Sequence, residues 1–411
     1  MLTSSTSGGD LMTTVSIPWA MWYGDEKYTL NFPDSWELIV ARMKGGPDIG
    51  DQGIRRAFAE PIGAPPLREV ARGRRDAAIL IDDLTRPTPS YRVLPYILEE
   101  LAAAGLDDSK VRIICALAAH RSMTRPDFVK KIGVDLLERL EVINHNAYDN
   151  LEFYGVSSRG IPIWVNRDFA RADLKIAAGM ITPRGRMFGG GAKLVLPGVC
   201  GRQTIFLTHA YCPEDVFRQH VDEVARMVGL AYIVNPLLNP DGGIMAMVTG
   251  DPEKAFWEGV SIGKDLYGTE MPEGMDVAVC NAWPKDSEGT QAGMACVPLY
   301  GTHRNVLKEN GTIVIISASP EGLGFHSVFG PGTLLRQGNL RGGARRSRNY
   351  ASMPRIVFSP NLNQHDVRPM FGPKAVFCKT WPEVIAELHR RYGNRARVCV
   401  FPCGAMQHAS A

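Results

Sequence analysis

The chain has 411 residues, 45% hydrophobic and 22% charged, with a formal net charge of +3. That length exceeds what one compact core ordinarily serves, so two domains are expected, and the composition excludes a disordered chain. So small a charge gives no polyelectrolyte argument for nucleic acid, and no apolar stretch approaches the ~20 residues that span a bilayer. An arginine-rich run at 340–348 (LRGGARRSR) reads as a solvated loop, because no aromatic side chains interleave its charges. The eight cysteines stand singly, several inside apolar runs, and Cys399 and Cys403 lack the spacing of a metal knuckle. A reduced, cytoplasmic setting is expected. The first ten residues lack a basic region followed by an apolar run, so they read as a disordered leader and not a signal peptide.

Short apolar runs alternate with longer amphipathic segments, the pattern of α/β layering. A buried strand is predicted over 76–81, ending in the polar, proline-rich loop 82–89 (DDLTRPTP) and a helix over 90–104. The next strand, 111–117, again ends in a polar loop, 118–124, before a short helix capped by Thr124. A third strand, 174–181, runs into the glycine-rich segment 182–192 (TPRGRMFGGGA). In parallel sheets such carboxyl ends are where ligands bind. Amphipathic helices follow over 213–229 and 251–264, with a strand between them at 243–248. The pattern breaks at 267–275, which reads as a linker between domains at 1–270 and 275–397. Strands at 276–280 and 311–317 belong to the second unit. Thr380 and Glu383 have capping-box spacing for a helix to about Tyr392, and a last strand at 397–401 begins a tail, 398–411, with a possible place in the first domain.

One lysine inside a glycine-rich loop is followed sixteen residues later by a histidine. Gly189, Gly190 and Gly191 have no Cβ, so backbone there can take positive φ and approach a ligand closely. Lys193 is followed by leucine and not Ser or Thr, which excludes a phosphate loop, and the spacing is not the dinucleotide fingerprint. By itself the loop reads either as a site for some anionic ligand or as a structural turn.

In order along the chain stand Asp83-Leu84-Thr85-Arg86-Pro87, Ala119-His120-Arg121, the run from Gly189 through Lys193 to Pro197-Gly198, and His209. This set resembles the D-x-T-R-P, H-R, GGxK…PG and downstream-histidine signatures of the lactate racemase family. The resemblance is strongest over 76–210 and thins beyond about 270. It implies two α/β domains with largely parallel sheets covered by helices, and an active site in the cleft between them. It further implies a nickel-pincer nucleotide, a pyridinium-3,5-bisthiocarboxylic acid mononucleotide holding Ni through carbon and two sulfurs. Lys193 stands where one arm of that group is joined to the protein, and His209 where an imidazole completes the square-planar set; sulfur with imidazole suits Ni(II). Thr85, Gly189, Gly190 and Gly191 fall in the cofactor-binding segments. The implied reaction is racemisation or 2-epimerisation of a 2-hydroxy acid by reversible hydride transfer, with cofactor-synthesis enzymes as partners. His120 matches a proton-transferring histidine, Arg86 can pair with a carboxylate or phosphate, and Asp83 can orient a catalytic neighbour.

Two positions depart from the family. Its second histidine falls here on Arg184, which stays protonated and cannot serve as a general base near neutrality. The segment from Asn281 to Gln291 resembles the family's N-x-x-P-x-D…Q, but the lysine expected three residues on is Met294. A carboxylate clamp moved to Arg184 or Arg186, and a substrate bulkier than lactate such as a sugar acid, are therefore expected. His145, His303 and His326 are spare candidates for the missing base. Two alternatives remain open: a non-inverting hydride-transfer enzyme on the same scaffold, and a non-catalytic nucleotide- or anion-binding protein.

Overall fold

The computed structural model describes residues 2–7, 10–24, 27–184, 187–333, 335, 350 and 352–410. Arg186 and the basic run 340–348 lie outside them. Two six-stranded sheets dominate, with helices against their faces. The first runs in the order Ile244–Gly250, Tyr232–Leu238, Leu174–Ala178, Ala77–Ile81, Val111–Cys115, Glu141–Asn144, parallel except for its outermost Ile244–Gly250. Every residue of Ala77–Ile81 and Leu174–Ala178 is buried, Lys175 included, as in a sheet covered on both faces. The second sheet is wholly parallel: Val376–Cys378, Arg355–Phe358, Leu307–Ile316, Met275–Asn281, Arg397–Phe401, Glu37–Val40.

Both sheets reverse direction at an inner strand. From Ala77–Ile81 the chain builds outward on one side, then returns to place Leu174–Ala178 on the other. From Met275–Asn281 it does the same, returning at Arg397–Phe401. At each reversal the loops leaving adjacent strands diverge, which opens a crevice at the carboxyl ends. Loops of the two sheets meet there: Arg121, after Val111–Cys115, donates Nε to Glu321 Oε2, after Leu307–Ile316, at 2.6 Å, and Tyr23, between Asp10–Pro18 and Lys27–Pro33, donates Oη to Glu321 Oε1 at 2.5 Å.

The helix signals behave as capping chemistry predicts. Arg125–Ile132 starts at a capping box of Thr124 and Asp127, Trp381–Tyr392 at one of Thr380 and Glu383, and Glu214–Val228 ends on left-handed Gly229. Three readings are corrected. Residues 2–7, expected as a disordered leader, form the strand Leu2–Ser7 against Asp10–Pro18, which continues antiparallel to Lys27–Pro33. Serine and threonine carry no apolar signal, but a ladder whose middle strand buries Val15 and Ile17 gives them partners. The supposed linker at 267–275 is packed structure: Tyr267 is fully buried and bonds Ile181 and Leu238, and Gly268–Thr269 pair with His408–Ala409. The strand Arg397–Phe401 belongs to the second sheet, although Cys403 and Met406 beyond it join the core of the first. All eight cysteines are buried free thiols. Among the described residues no helix is long and apolar enough to cross a membrane.

Candidate active site

The loop leaving Ala77–Ile81 is held from beneath by a lysine. Lys131, fully buried on helix Arg125–Ile132, pairs with Asp82 Oδ1 at 2.5 Å and donates to the carbonyls of Asp83 and Arg86 at 3.1 and 3.0 Å. Thr88 Oγ1 donates to Asp82 Oδ2 at 2.6 Å, and Trp22 Nε1 donates to Arg86 O at 3.2 Å. So fixed, Asp83 presents Oδ2 to His120 Nδ1 at 2.6 Å, while Oδ1 accepts from the backbone N–H and hydroxyl of Thr85. Burial alone would raise the Asp83 carboxyl. The His120 ring, Arg86 and the Thr85 hydroxyl outweigh it and hold the group well below the usual carboxylate range. A carboxylate on Nδ1 fixes the imidazole with its proton there, so Nε2 turns its lone pair toward the cleft. The Gln291 amide approaches that Nε2 at 3.5 Å. Thr85 is engaged with Asp83 and with Arg86, whose Nη1 donates to its hydroxyl at 2.8 Å, and is not among the residues lining the cleft.

Across the cleft, hairpin Thr182–Arg184 and Met187–Gly189 leads into the 3-10 turn Gly191–Leu194 that carries Lys193. Gly190 has φ +109° and a Cβ there would stand 2.7 Å from the Met180 carbonyl. Close packing on the backbone just beyond strand Leu174–Ala178 by itself requires glycine at that position. Gly189 and Gly190 line the cleft, whereas Gly191 faces Phe256. Arg218, buried and paired with Asp222, donates to the Gly190 carbonyl at 3.2 Å and braces the turn; no motif pointed to it. Lys193 Nζ lies 5.0 Å from the centre of the Phe217 ring, whose other neighbour is His209 at 5.1 Å. His209, on helix Arg202–Tyr211, donates Nδ1–H to the Ile205 carbonyl at 2.8 Å. A carbonyl can only accept, so the neutral ring carries its lone pair on Nε2.

The far wall comes from the second sheet. Gln291 and Met294 line the cleft, with Tyr300, Arg355, Met370 and Phe371 extending it, and Arg184 and Arg86 stand on the near side. The cavity measures about 560 Å³, within the usual range for small-molecule sites. Of the spare histidines, only His326 lines it. His145 is buried with Nε2 donating to the Cys200 carbonyl at 2.9 Å, and burial pushes it down to about 4; His303 is exposed.

Lys285, in the loop after Met275–Asn281, escaped sequence reasoning altogether. It is 1% exposed, and its ammonium has no hydrogen-bond partner among the described residues. Burial, then the neighbouring charges of Arg86, Arg184 and Lys193, push its pKa well below the ordinary lysine value. Lys285→Met is expected to stabilise the free protein at pH 7 by about 1–3 kcal/mol, since it removes a buried polar group that bonds nothing. The folded state holds a proton on Lys285 less readily than the unfolded chain, which binds one up to about pH 10.4, so the parent gains stability as pH rises toward that value. Denaturant melts at pH 7 and 9 should show the variant's advantage shrinking; a constant or widening gap would contradict it.

Residues 23–217 match the family model of the lactate racemase N-terminal domain. The lactate racemase of Lactiplantibacillus plantarum is 28% identical over 388 residues, covering 85% of this chain and 89% of that protein. That of Thermoanaerobacterium thermosaccharolyticum is 28% identical over 345 residues, covering 77% of each. The solved lactate racemase apoprotein of the latter organism superposes with a TM-score of 0.76 at 23% identity, over 97% of this chain and 100% of that one. A protein of Thermotoga maritima superposes with a TM-score of 0.61 at 17% identity, over 85% of this chain and 99% of that one. With a buried carboxylate–histidine pair opening on a cleft between two parallel sheets, these matches make the protein an isomerase of the racemase class. The chain is a divergent relative of the lactate racemases, resembling two of them along most of its length and the family's N-terminal domain model over residues 23–217.

Proposed function

We propose that the protein racemises or 2-epimerises a 2-hydroxy acid bulkier than lactate, by reversible hydride transfer to a nickel-pincer nucleotide carried on Lys193. The observation that carries this reading is the pairing of Lys193 and His209 around one aromatic ring, in the cleft that Asp83 and His120 also line. The donor set fits the cofactor. His209 offers one imidazole lone pair, and among the described residues no group of three His, Cys, Asp or Glu side chains forms a metal cage of its own. A nickel ion here would therefore take its remaining ligands from a group attached at Lys193, and soft sulfur beside imidazole suits Ni(II). When bound, that group supplies the acceptor for the hydride leaving C2.

The chain's own residues do the rest. His120 Nε2 takes the hydroxyl proton as the C2–H bond breaks, and returns it when hydride comes back; Asp83 stabilises the imidazolium between the two steps. Arg184 and Arg86 supply the positive charge that a carboxylate needs once Met294 stands in place of a lysine. The extension of the cleft toward Tyr300, Arg355 and Phe371 gives room and polarity for a substituent larger than methyl, as in a sugar acid.

Co-expression with cofactor-synthesis enzymes is expected to yield nickel bound stoichiometrically and a mass increase on the peptide bearing Lys193. Lys193→Ala should abolish both. An unmodified peptide without nickel in the parent chain under those conditions overturns the reading. A panel of 2-hydroxy acids followed by loss of optical activity then identifies the substrate.

A further inference from the structure

His326 belongs to none of the sequence motifs, yet it stands beside the catalytic base. It enters from the second-sheet side, on the segment after Leu307–Ile316, and its main chain bridges to that of His120. Ser327 N donates to the Ala119 carbonyl at 2.9 Å, so the two loops are stitched together by backbone. The two imidazole rings lie 5.0 Å apart, tilted by 57°.

The hydrogen bonds of His326 decide what it can do. Its Nδ1 accepts two backbone N–H groups, from Phe329 at 2.9 Å and Val328 at 3.3 Å. A ring nitrogen that accepts carries no proton, so the neutral ring bears its hydrogen on Nε2. Burial, with the charges of His120, His209, Arg184 and Arg86 around it, pushes the ring down to about 2, so it does not take up a second proton. Phe329, edge-on to the ring at 5.2 Å, limits its rotation. A histidine so held cannot replace the missing base. It is a permanent, uncharged donor.

Resting on the hydroxy-acid reading above, we propose that His326 is a catalytic residue whose Nε2–H donates to the oxygen on C2 of the substrate, holding it against His120. One oxygen within about 2.8 Å of two nitrogens bridges groups up to about 5.6 Å apart, and the centres of these two rings lie 5.0 Å apart. As a hydroxyl, the oxygen donates to His120 Nε2 and accepts from His326. As a carbonyl, it accepts from both, because His120 then carries the proton. The donor is thus in place for the charge that develops as the O–H proton leaves, without reorganisation. Its neutrality also sorts the ends of the substrate. An uncharged donor suits an oxygen that alternates between hydroxyl and carbonyl, while the carboxylate is drawn to the arginines.

The test uses the full chain, loaded by co-expression, with His326→Phe keeping ring shape and His326→Gln keeping a side-chain N–H. The Phe variant should lose about 10²–10³-fold in kcat with KM and nickel content little changed, and the Gln variant should recover at least about tenfold of that loss. Nitrogen-15 NMR of the unloaded chain should show His326 as the Nε2–H form throughout pH 5.5–9, with that resonance moving when oxalate, a planar mimic of a 2-oxo acid, is added. A His326 that titrates in this range, a resonance indifferent to oxalate, or equal losses in the two variants overturns the inference. Failure of the parent chain to bind nickel or turn over any 2-hydroxy acid would instead overturn the underlying reading.

Discussion

His120→Asn is expected to lower turnover of the loaded enzyme by about 10²–10⁴-fold, the range for a positioned proton-transfer group. Nickel content and the mass increase at Lys193 should be unchanged, because His120 is carried by the loop after Val111–Cys115, whereas Lys193 and His209 are carried by the turn Gly191–Leu194 and the helix Arg202–Tyr211. The reason for so large a loss is geometric. Asp83 fixes the ring at 2.6 Å through Nδ1, so the substrate-facing nitrogen is a base oriented in advance. Asparagine retains polarity but no basic lone pair. Asp83→Asn should cause a smaller loss of the same kind: it keeps an acceptor for Nδ1–H but removes the charge that stabilises the imidazolium. Comparing kcat of the loaded variants checks both. Turnover within threefold of the parent in His120→Asn would exclude it as the base.

Lys131→Met is expected to destabilise the protein by about 3–5 kcal/mol, although it touches no substrate. The side chain is completely buried, and its ammonium serves the Asp82 carboxylate and two backbone carbonyls of the loop that carries Asp83 and Arg86. Methionine fills much the same volume but leaves an uncompensated carboxylate and takes one donor from each of two carbonyls, which keep only the Arg86 N–H and the Trp22 Nε1–H. Activity should fall as well, since Asp83 then loses the support that aims it at His120. Urea unfolding measures the first effect, and a loss under about 1 kcal/mol would contradict the assigned role. Lys131 and Lys285 therefore make opposite predictions for the same Lys→Met change. One ammonium is fully partnered and the other is not.

Local chemistry made much of the architecture legible. The apolar run 77–81 and the largely apolar 174–178, interrupted only by Lys175, marked strands covered on both faces, and the boxes at Thr124 and Thr380 marked helix starts. The motif residues Asp83, Arg86, His120, Lys193 and His209 were readable because each follows a strand end or its loop in a recognisable order. Four of them line one cleft with Asp83. Residues 2–7 were misread because their pairing is with a partner strand and leaves no trace in their own composition.

Lys131, Arg218, Lys285 and the role of His326 had no such signature. A lysine on an amphipathic helix looks solvent-facing until the fold turns that face inward. Whether a buried ammonium finds partners depends on loops some 45 residues away in the chain. His326 was visible as a histidine, but its state rests on two backbone N–H groups and on charges from the opposite sheet. The sequence by itself determined the likeness to lactate racemases, the α/β layering and the order of the motif residues, because these depend on local periodicity and short ordered motifs. Only the tertiary structure decided which cations are partnered, why Gly190 must be glycine, and which histidine nitrogens are held by hydrogen bonds. Those properties belong to groups brought together from distant parts of the chain, where burial and neighbouring charge set what each side chain can do.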